Sequence, residues 1–315
     1  MAEYISSFTT GFGEIVAQAL PSLLPGAGVQ RVYDGLIRYA YPGNPKDIHR
    51  LPFFNNSWFL LRFFEGKNLS FHRMIPEDKL RYPISEGSFR VRFSRGNQFA
   101  GVDKRLSQRA ENAIIRSSRL KPDRLNPATE LWYVIRDEGF GFYGQLLQKR
   151  VSTEKNLHPG ELRPEFAYLM CLCGEPKQGS VILDPFAGYG AIPMQITKHF
   201  CFKRLIANDI DPGKAQPMCE DALHLTSITD NSIDLIITDP PWGYYEEIGD
   251  IALFYESMLR EFGRILKDDG RAVVLSARKE EFTRAVEKSG AFAVEMTIHT
   301  LVNGKKAGVY VLKPS

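Results

Sequence analysis

Residues 181–192 read VILDPFAGYGAI: an apolar run that ends in Asp184, a loop with Gly188 and Gly190, and the start of a second apolar run. A short apolar run followed by glycines is typical of a buried strand that leads into a helix. Ligands of open α/β sheets bind at the carboxyl ends of the strands, and glycine has no Cβ atom to keep a ligand from the backbone. The stretch therefore predicts an α/β fold with a ligand site at this loop.

The loop differs from a dinucleotide-binding loop in two ways. It lacks the third glycine of the G-x-G-x-x-G pattern, and it places the acidic Asp184 beside the position that a pyrophosphate would occupy. A sulfonium compound with an amino-acid moiety tolerates that carboxylate. A tight strand–helix turn without any ligand is the alternative that the loop by itself leaves open.

On both sides of this loop, strand and helix candidates alternate over residues 155–315. The strand candidates are 181–183, 205–207, 233–238, 272–275, 293–298 and 309–312, and the helix candidates are 162–173, 191–199, 213–220, 251–266 and 279–289. This alternation predicts a doubly wound, largely parallel sheet. Asn303-Gly304 is a favourable tight-turn pair, which predicts that the last two strands form an antiparallel hairpin.

Further acidic positions follow the predicted strands. Asp209 comes after the run 205–207, where a carboxylate can accept hydrogen bonds from both hydroxyls of a ribose. Asp211 is expected to cap a helix N-terminus instead. Glu220-Asp221-Ala222 comes where another strand end is expected, and a carboxylate there could accept a hydrogen bond from an adenine amino group.

Asp239-Pro240-Pro241-Trp242-Gly243 directly follows the predicted strand 233–238. Two prolines fix φ and remove two N–H donors, so the loop is stiff and its carbonyls are free to accept hydrogen bonds. The Asp239 carboxylate and the Pro240 carbonyl can hold both N–H bonds of an exocyclic amino group out of the ring plane, and a base there can later accept a proton. Trp242 offers a face on which a nucleobase can stack. The loop predicts amino-group chemistry on a base, with a rigid turn as the alternative.

The part of the chain before residue 151 carries most of the positive charge. Residues 62–150 have 18 basic and 10 acidic side chains, whereas residues 155–315 have 18 and 22. A strand at 89–93, a basic amphipathic helix at 103–119 and strands at 130–135 and 140–147 predict a small α+β module. A basic module beside an acidic one predicts a polyanion-binding surface, with a solvated face as the alternative. The residues expected to share that surface are Arg90, Arg92, Arg95, Lys104, Arg105 and Arg109.

Composition excludes several classes of protein. A length of 315 residues predicts two or three domains, and 43% hydrophobic residues are enough for buried cores. The sequence has no apolar run of the roughly 18 residues that a membrane span requires. The N-terminus lacks a basic segment followed by an apolar core, so we expect a cytoplasmic protein. Four cysteines without CxxC spacing and six scattered histidines predict no metal site.

The glycine loop and the Asp239–Gly243 loop together resemble those of class I S-adenosylmethionine-dependent amino-methyltransferases. Residues 157–164, LHPGELRP, resemble the His-Pro…Leu-Arg-Pro segment of THUMP-domain RNA methyltransferases. Residues 10–15 resemble the Thr-x-x-Gly-x-Glu start of that family's N-terminal ferredoxin-like domain. Residues 89–147 resemble a THUMP module, and residues 302–312 resemble the family's last hairpin. The resemblance covers nearly the whole chain.

This resemblance implies a ferredoxin-like domain at 1–65, a THUMP-like RNA-binding domain at 66–150 and a Rossmann-like methyltransferase domain at 151–315. It implies S-adenosylmethionine as cofactor and methylation of guanine N2 in tRNA, of the type that acts at position six. The THUMP part would hold the acceptor stem and the 3′ end, without a membrane or an obligate protein partner. Asp239, Pro240 and Trp242 would hold the flipped base. The cofactor would contact Asp184, Phe186, Gly188, Gly190, Asp209, Ile210, Asp221 and Ala222.

Two departures from the family leave alternatives open. Tyr189 and Ala191 stand where the family commonly has hydroxyl residues, in Gly-Ser-Gly-Thr, which puts cofactor affinity in question. Asp239 and Trp242 replace the outer residues of Asn-Pro-Pro-Tyr, and the Asp form also occurs in enzymes acting at tRNA position ten and on DNA adenine or cytosine. The alternatives are ribosomal RNA guanine, DNA or protein glutamine as substrate, and a non-catalytic RNA-binding protein whose cofactor site has decayed.

Overall fold

The computed structural model describes residues 1–149, 157–214, 216–244 and 248–315. The chain divides into two compact units. The N-terminal unit comprises Met1–Phe8 and Leu20–Val151, and the C-terminal unit comprises Thr9–Ala19 and Ser152–Ser315. In the described ranges, every helix is too short or too polar to cross a lipid bilayer.

One nine-stranded sheet runs through the N-terminal unit in the order β2-β3-β1-β4-β9-β8-β5-β6, with β7 paired to β5. Its strands are β1 (Ala2–Ser7), β2 (Gly28–Tyr33), β3 (Leu36–Tyr41), β4 (Asn56–Glu65), β5 (Glu86–Arg95), β6 (Gln98–Phe99), β7 (Arg119–Pro122), β8 (Thr129–Arg136) and β9 (Phe140–Lys149). The helices are α1 (Gly13–Leu23), which begins in the segment of the C-terminal unit, α2 (Pro45–Ile48), α3 (Phe71–Met74) and α4 (Lys104–Ser117).

The first six elements, from β1 to β4, follow the β-α-β-β-α-β order of a split βαβ unit. Antiparallel pairing of β4 with β9 joins this unit to the strands that follow it. Residues 1–65 and 66–150 therefore contribute to one sheet, and their division into a ferredoxin-like and a THUMP-like domain stays a prediction.

The sheet of the C-terminal unit has six strands in the order β11-β10-β12-β13-β15-β14. They are β10 (Val181–Asp184), β11 (Arg204–Ala207), β12 (Ile233–Thr238), β13 (Leu266–Ser276), β14 (Phe292–Val302) and β15 (Lys305–Pro314). The helices are α5 (Pro164–Gly174), α6 (Ala191–His199), α7 (Ile251–Ile265) and α8 (Lys279–Ser289). Pairing is parallel among β10 to β13 and antiparallel at β15 and β14, which confirms the predicted doubly wound sheet and terminal hairpin.

The predicted strands are apolar because helices cover both faces of a parallel sheet. Leu183 and Ile236 from the sheet and Tyr255 and Phe262 from α7 are all fully buried in one core. Complete burial of each such side chain contributes roughly 1.5–3 kcal/mol. This core fixes the strands, and with them the loops at their carboxyl ends.

The prediction of a helix at 213–220 is wrong. The structure has a single 3-10 turn at Pro212–Lys214, and residues 216–220 are not helical. Pro217 lacks an N–H donor and would break a helix interior. The backbone N–H of Met218 instead donates to Ala207 O at 3.2 Å, and the N–H of Asp209 donates to Met218 O at 3.2 Å. The segment is thus tied to the end of β11, where it borders the predicted ligand site.

Residues 9–19, at the start of the chain, belong to the C-terminal unit. The Thr300 hydroxyl donates to Thr10 O at 2.9 Å, and the Phe12 and Phe166 rings meet edge to face with centroids 5.4 Å apart. Gly11 has φ +90°, and a Cβ atom there would lie 2.2 Å from His299 O. The segment that resembles the start of a ferredoxin-like domain therefore packs within the C-terminal unit, against its terminal hairpin and against Phe166 of α5.

Gly11→Ala should lower the free energy of unfolding by about 3 kcal/mol, because a side chain is strained at this φ and collides with backbone. Chemical denaturation measures the effect. Gly28→Ala is the matched control, since a Cβ at Gly28 has nothing within 4 Å, and it should change stability by less than about 1 kcal/mol. Equal stability of the two variants would show that the segment does not dock as described.

Candidate active site

The predicted acidic residues meet at one edge of the C-terminal sheet. Strands β10, β11 and β12 are parallel, so their carboxyl ends lie together, and Asp184, Asp209 and Asp239 stand at or just after those ends. The hydroxyl of Thr238 donates to Asp184 Oδ1 at 2.8 Å, and the N–H of Gly188 donates to Asp209 Oδ2 at 2.8 Å. These bonds tie the ends of β10, β11 and β12 into one site.

The glycine loop needs its glycines for backbone conformation. Gly188 has φ +52° and Gly190 has φ +84°, a region that side chains disfavour. A Cβ on Gly188 would have nothing within 4 Å, so there is open space beside the loop. The amide of Gln216 donates to Gly188 O at 2.7 Å and braces the loop from the segment after β11.

Tyr189, at the tip of this loop, departs from the family pattern and makes contacts of its own. Its ring stacks on His158 with centroids 3.8 Å apart and an interplanar angle of 11°. The Lys214 ammonium lies 3.8 Å from the centre of the same ring. The loop is thus joined both to the His-Pro segment and to the 3-10 turn, by contacts that a serine could not make.

Asp184 is the most deeply buried of the three acids, with 1% of its surface exposed. Besides Thr238, its Oδ1 accepts a hydrogen bond from Phe186 N at 3.3 Å. Burial raises the pKa of the Asp184 carboxyl to about 7, and the Asp209 carboxylate adds to the rise. A positively charged ligand at this edge would favour its ionised form.

Asp239 directly follows β12 and has an oxygen without a partner. Its Oδ1 is buried and accepts no hydrogen bond from any described residue. Burial is the main reason that the pKa of Asp239 lies well above its usual range, and the neighbouring Asp184 raises it further. A buried acceptor left unsatisfied costs roughly 1–3 kcal/mol. Trp242 lowers the pKa of this carboxyl through a side-chain hydrogen bond, but Oδ1 is left without a partner and is available to a ligand.

The rest of the Asp239–Gly243 loop is held in place by β13 and by the residues that follow it. Pro240 is buried, and the indole N–H of Trp242 donates to Leu275 O at 3.4 Å. Arg278 Nε donates to Trp242 O at 3.0 Å. Trp242 is therefore fixed beside Asp239, and it is half-buried.

Asn208 is a site residue that sequence reasoning missed. It is fully buried, and its amide Nδ2 donates to Pro185 O at 2.9 Å and to Glu220 O at 3.0 Å. Its Oδ1 accepts a hydrogen bond from Glu220 N at 2.8 Å. The one signal in the sequence is a polar residue that extends the apolar run before Asp209. Asn208 joins the loops after β10 and β11 to the segment at 220.

The remaining predicted cofactor residues have mixed environments. Asp221 is exposed and its Oδ1 accepts a hydrogen bond from Leu223 N at 2.9 Å, whereas Ala222 is buried. Ile210 is 66% exposed. The half-buried Phe186 packs near Phe254, with ring centroids 5.8 Å apart. Contact of these four residues with a cofactor stays a prediction.

The expectation that the six predicted RNA-binding cations share one surface is wrong. Side chains alternate along a strand, so Arg90 and Arg92 point away from the sheet face on which Phe89 and Phe93 pack against α4. Glu130 forms ion pairs with both arginines on that opposite face.

The other four cations lie elsewhere in the N-terminal unit. Lys104, Arg105 and Arg109 are exposed on α4, which covers the face carrying Phe89 and Phe93. Arg95 lies near α3, where its guanidinium donates to Leu69 O at 3.2 Å. A role in RNA binding stays a prediction for each of the six.

His, Cys, Asp and Glu are the side chains that usually bind metal ions in proteins. In the portions of the chain that the structure describes, these side chains form no group of three or more that could hold a metal ion. All four cysteines are free thiols, with Cys171 and Cys173 buried. Burial raises the pKa of both buried thiols.

Known proteins resemble this chain at the level of family, sequence and fold. Residues 212–308 match the family UPF0020, described as an RMKL-like methyltransferase domain. The mouse tRNA (guanine(6)-N(2))-methyltransferase THUMP3 is 28% identical over 71% of this chain and 51% of its own length. The tRNA (guanine(10)-N2)-dimethyltransferase of Methanothermobacter thermautotrophicus is 30% identical over 45% of this chain and 48% of its own length. This chain therefore spans about half the length of these two curated relatives.

Solved structures extend the likeness in fold to the whole chain. TrmN from Thermus thermophilus superposes over 100% of both chains with a TM-score of 0.78 and 21% identity. SMU.472, a putative methyltransferase complexed with SAH, covers 100% of this chain with a TM-score of 0.70 and 11% identity. These structures share the fold of this chain, and the match to UPF0020, an RMKL-like methyltransferase domain, covers residues 212–308 at the carboxyl-edge site, including the Asp239–Gly243 loop.

Proposed function

We propose that this chain transfers a methyl group from S-adenosylmethionine to the exocyclic N2 of a guanine in tRNA. The observation that carries the proposal is the unsatisfied, buried Oδ1 of Asp239 beside a stiff Pro-Pro-Trp loop. An amino N–H is the kind of donor that this oxygen lacks. Guanine N2 as the target is supported by the printed names of the mouse and archaeal relatives.

The residues at the carboxyl edge fit the proposed cofactor. S-adenosylmethionine supplies an electrophilic methyl group on a positively charged sulfur. The buried carboxyl of Asp184 has a raised pKa, and a cation beside it would favour its ionised form. Gly188 and Gly190 would hold the amino-acid end, Asp209 the ribose hydroxyls, and Asp221 the adenine.

Asp239 would act on the amino group of the base. A guanine amino nitrogen is a poor nucleophile because its lone pair is delocalised into the ring. Hydrogen bonds to Asp239 and to the Pro240 carbonyl hold the N–H bonds out of plane, which localises that lone pair. The methylated nitrogen must then lose a proton, and a carboxylate with a raised pKa is a better proton acceptor than an ordinary one. Trp242 would stack on the base and exclude water.

The finer features of the substrate are part of the same proposal. A guanine within an A-form stem is out of reach while it is stacked, so the enzyme must flip it or open the stem. Position six in the acceptor stem is supported by the printed name of the mouse relative. We place recognition of the acceptor stem and 3′ end in the N-terminal unit and the protein in the cytoplasm, without an obligate protein partner.

Cofactor affinity should depend on pH through Asp184. Below pH 7 its carboxyl is mostly protonated and neutral, and above pH 7 it is anionic and attracts the cationic cofactor. We expect the Kd for S-adenosylmethionine to fall by up to about tenfold as the pH rises from 6 to 8. Asp184→Asn keeps an acceptor for Thr238 but cannot ionise, so isothermal titration should show a flat profile. A similar slope in both proteins would contradict the assignment.

Transfer of labelled methyl from S-adenosylmethionine to bulk unmodified tRNA, followed by nucleoside analysis, tests the function. The expected product is N2-methylguanosine. Cofactor binding without this product would redirect the proposal to ribosomal RNA or DNA. Absence of both product and cofactor binding would support a non-catalytic RNA-binding protein.

A further inference from the structure

A cluster of one aromatic and two basic side chains lies beside the candidate catalytic loop. Tyr244 follows Trp242 by two residues, is 44% exposed, and its ring centroid is 6.4 Å from that of Trp242. The Arg278 guanidinium carbon lies 4.2 Å from the Tyr244 ring centre, and Lys305 Nζ lies 3.5 Å from it. We call Tyr244, Arg278 and Lys305 the Tyr244 cluster.

The three side chains come from three separate segments that meet at the carboxyl edge of the sheet. Arg278 stands between β13 and α8, and Lys305 opens β15 after the Asn303-Gly304 turn. Because Ser276 at the end of β13 pairs with Gly308, the hairpin tip extends beyond the end of β13. The tip therefore overhangs the edge at which Asp239 lies.

The electrostatics of the cluster favour an anion. Cation–π contacts of this kind contribute roughly 0.5–1 kcal/mol at exposed sites, so the ring holds both cations in place. Their distances from one ring centre put the two positive charges closer together than the Debye length of about 8 Å at physiological salt. Arg278 forms no ion pair with a carboxylate of the described residues. A phosphate group carries the opposite charge and can accept hydrogen bonds from both side chains.

We propose that the Tyr244 cluster binds the phosphodiester that flanks the methylated nucleotide. The inference rests on the proposed function and names a further RNA contact of that same site. Flipping a base swings it about its own backbone, so the flanking phosphate must lie close to the loop that holds the base. Trp242 and Tyr244 are two residues apart on that loop, and Arg278 bonds to both through Trp242 O and the Tyr244 ring. The cluster therefore links binding of the phosphate to the position of the base.

The test compares Lys305→Ala with Lys306→Ala in the full chain. Lys306 is the next residue along β15, is exposed, and points to the other face because side chains alternate. We expect Lys305→Ala to raise the KM for tRNA about tenfold, with a much smaller change in kcat, and to reduce the slope of log affinity against log salt by about one. Lys306→Ala should do neither. Equal effects of the two variants would overturn the proposal.

Tyr244 variants distinguish a specific loss of the Tyr244 cluster from unfolding of the protein. Tyr244→Ala should weaken tRNA binding at least as much as Lys305→Ala, and Tyr244→Phe should restore it, because the ring alone holds the cations. Failure of Tyr244→Phe to restore binding would also overturn the proposal. If the wild-type protein methylates tRNA but Lys305→Ala behaves like Lys306→Ala, the proposed phosphate contact is refuted and the proposed function stands. If no methyl is transferred but Lys305→Ala still lowers the salt slope of tRNA binding, the function is wrong and the contact stands.

Discussion

Replacing Asp239 with alanine should reduce methyl transfer at least about a hundredfold while leaving cofactor binding nearly intact. The carboxyl would orient the amino group and accept its proton. We expect the fold to tolerate the loss of this carboxyl, since its Oδ1 is buried without a partner and burial disfavours its charge. Thermal stability of Asp239→Ala should therefore equal or exceed that of the wild type.

Two further variants separate the roles of this carboxyl. Asp239→Asn keeps an acceptor oxygen but cannot take a proton, so its rate should be as low as that of Asp239→Ala if proton transfer dominates. Asp211→Ala removes an exposed acid at the same edge, one whose Oδ1 accepts a hydrogen bond from Gly213 N at 2.8 Å, and should change the rate less than about threefold. Single-turnover methyl transfer at saturating cofactor measures all three. Near-normal turnover of Asp239→Ala would refute the catalytic assignment.

Replacing Asn208 with alanine should destabilise the protein by about 4 kcal/mol and weaken cofactor binding together. The substitution removes the partner of three backbone groups, the buried Pro185 O and the partly buried Glu220 O and Glu220 N. Those groups belong to the segments that carry Asp184 and Asp221, so the predicted cofactor residues should lose their relative positions.

Asn208→Asp is the matched control for this prediction. It keeps the side-chain volume and the acceptor for Glu220 N, but it cannot donate to the two carbonyls and adds a charge in a buried place. Its stability should lie at or below that of Asn208→Ala. Urea denaturation and cofactor titration measure both quantities. Wild-type stability in either variant would show that this asparagine does not join the loops.

The sequence predicted the C-terminal sheet and most of its site because the signals there are local. Apolar runs mark the buried parallel strands, and an acid directly after a run stands at the carboxyl edge whatever the rest of the chain does. Asp184 and Asp239 were therefore placed correctly at the ends of β10 and β12. The Asn303-Gly304 turn likewise predicted the terminal hairpin.

The features that sequence reasoning missed depend on contacts between distant residues. Helical periodicity at 213–220 was outweighed by Pro217 and by backbone bonds to the end of β11. Asn208 gains its role from Glu220, which no local pattern indicates. Charge counting also could not tell that Arg90 faces away from α4, because that depends on which side of the strand packs against the helix.

The most direct test of the central claim uses two tRNA transcripts that differ at the methylated position alone. One carries guanosine there, and the other carries inosine, which lacks the exocyclic N2 amino group. Both are incubated with the full chain and labelled S-adenosylmethionine, and the nucleosides are analysed. We predict N2-methylguanosine in the first transcript and no label at that position in the second. Equal labelling of the two transcripts would contradict the assignment of guanine N2 as the acceptor that Asp239 holds.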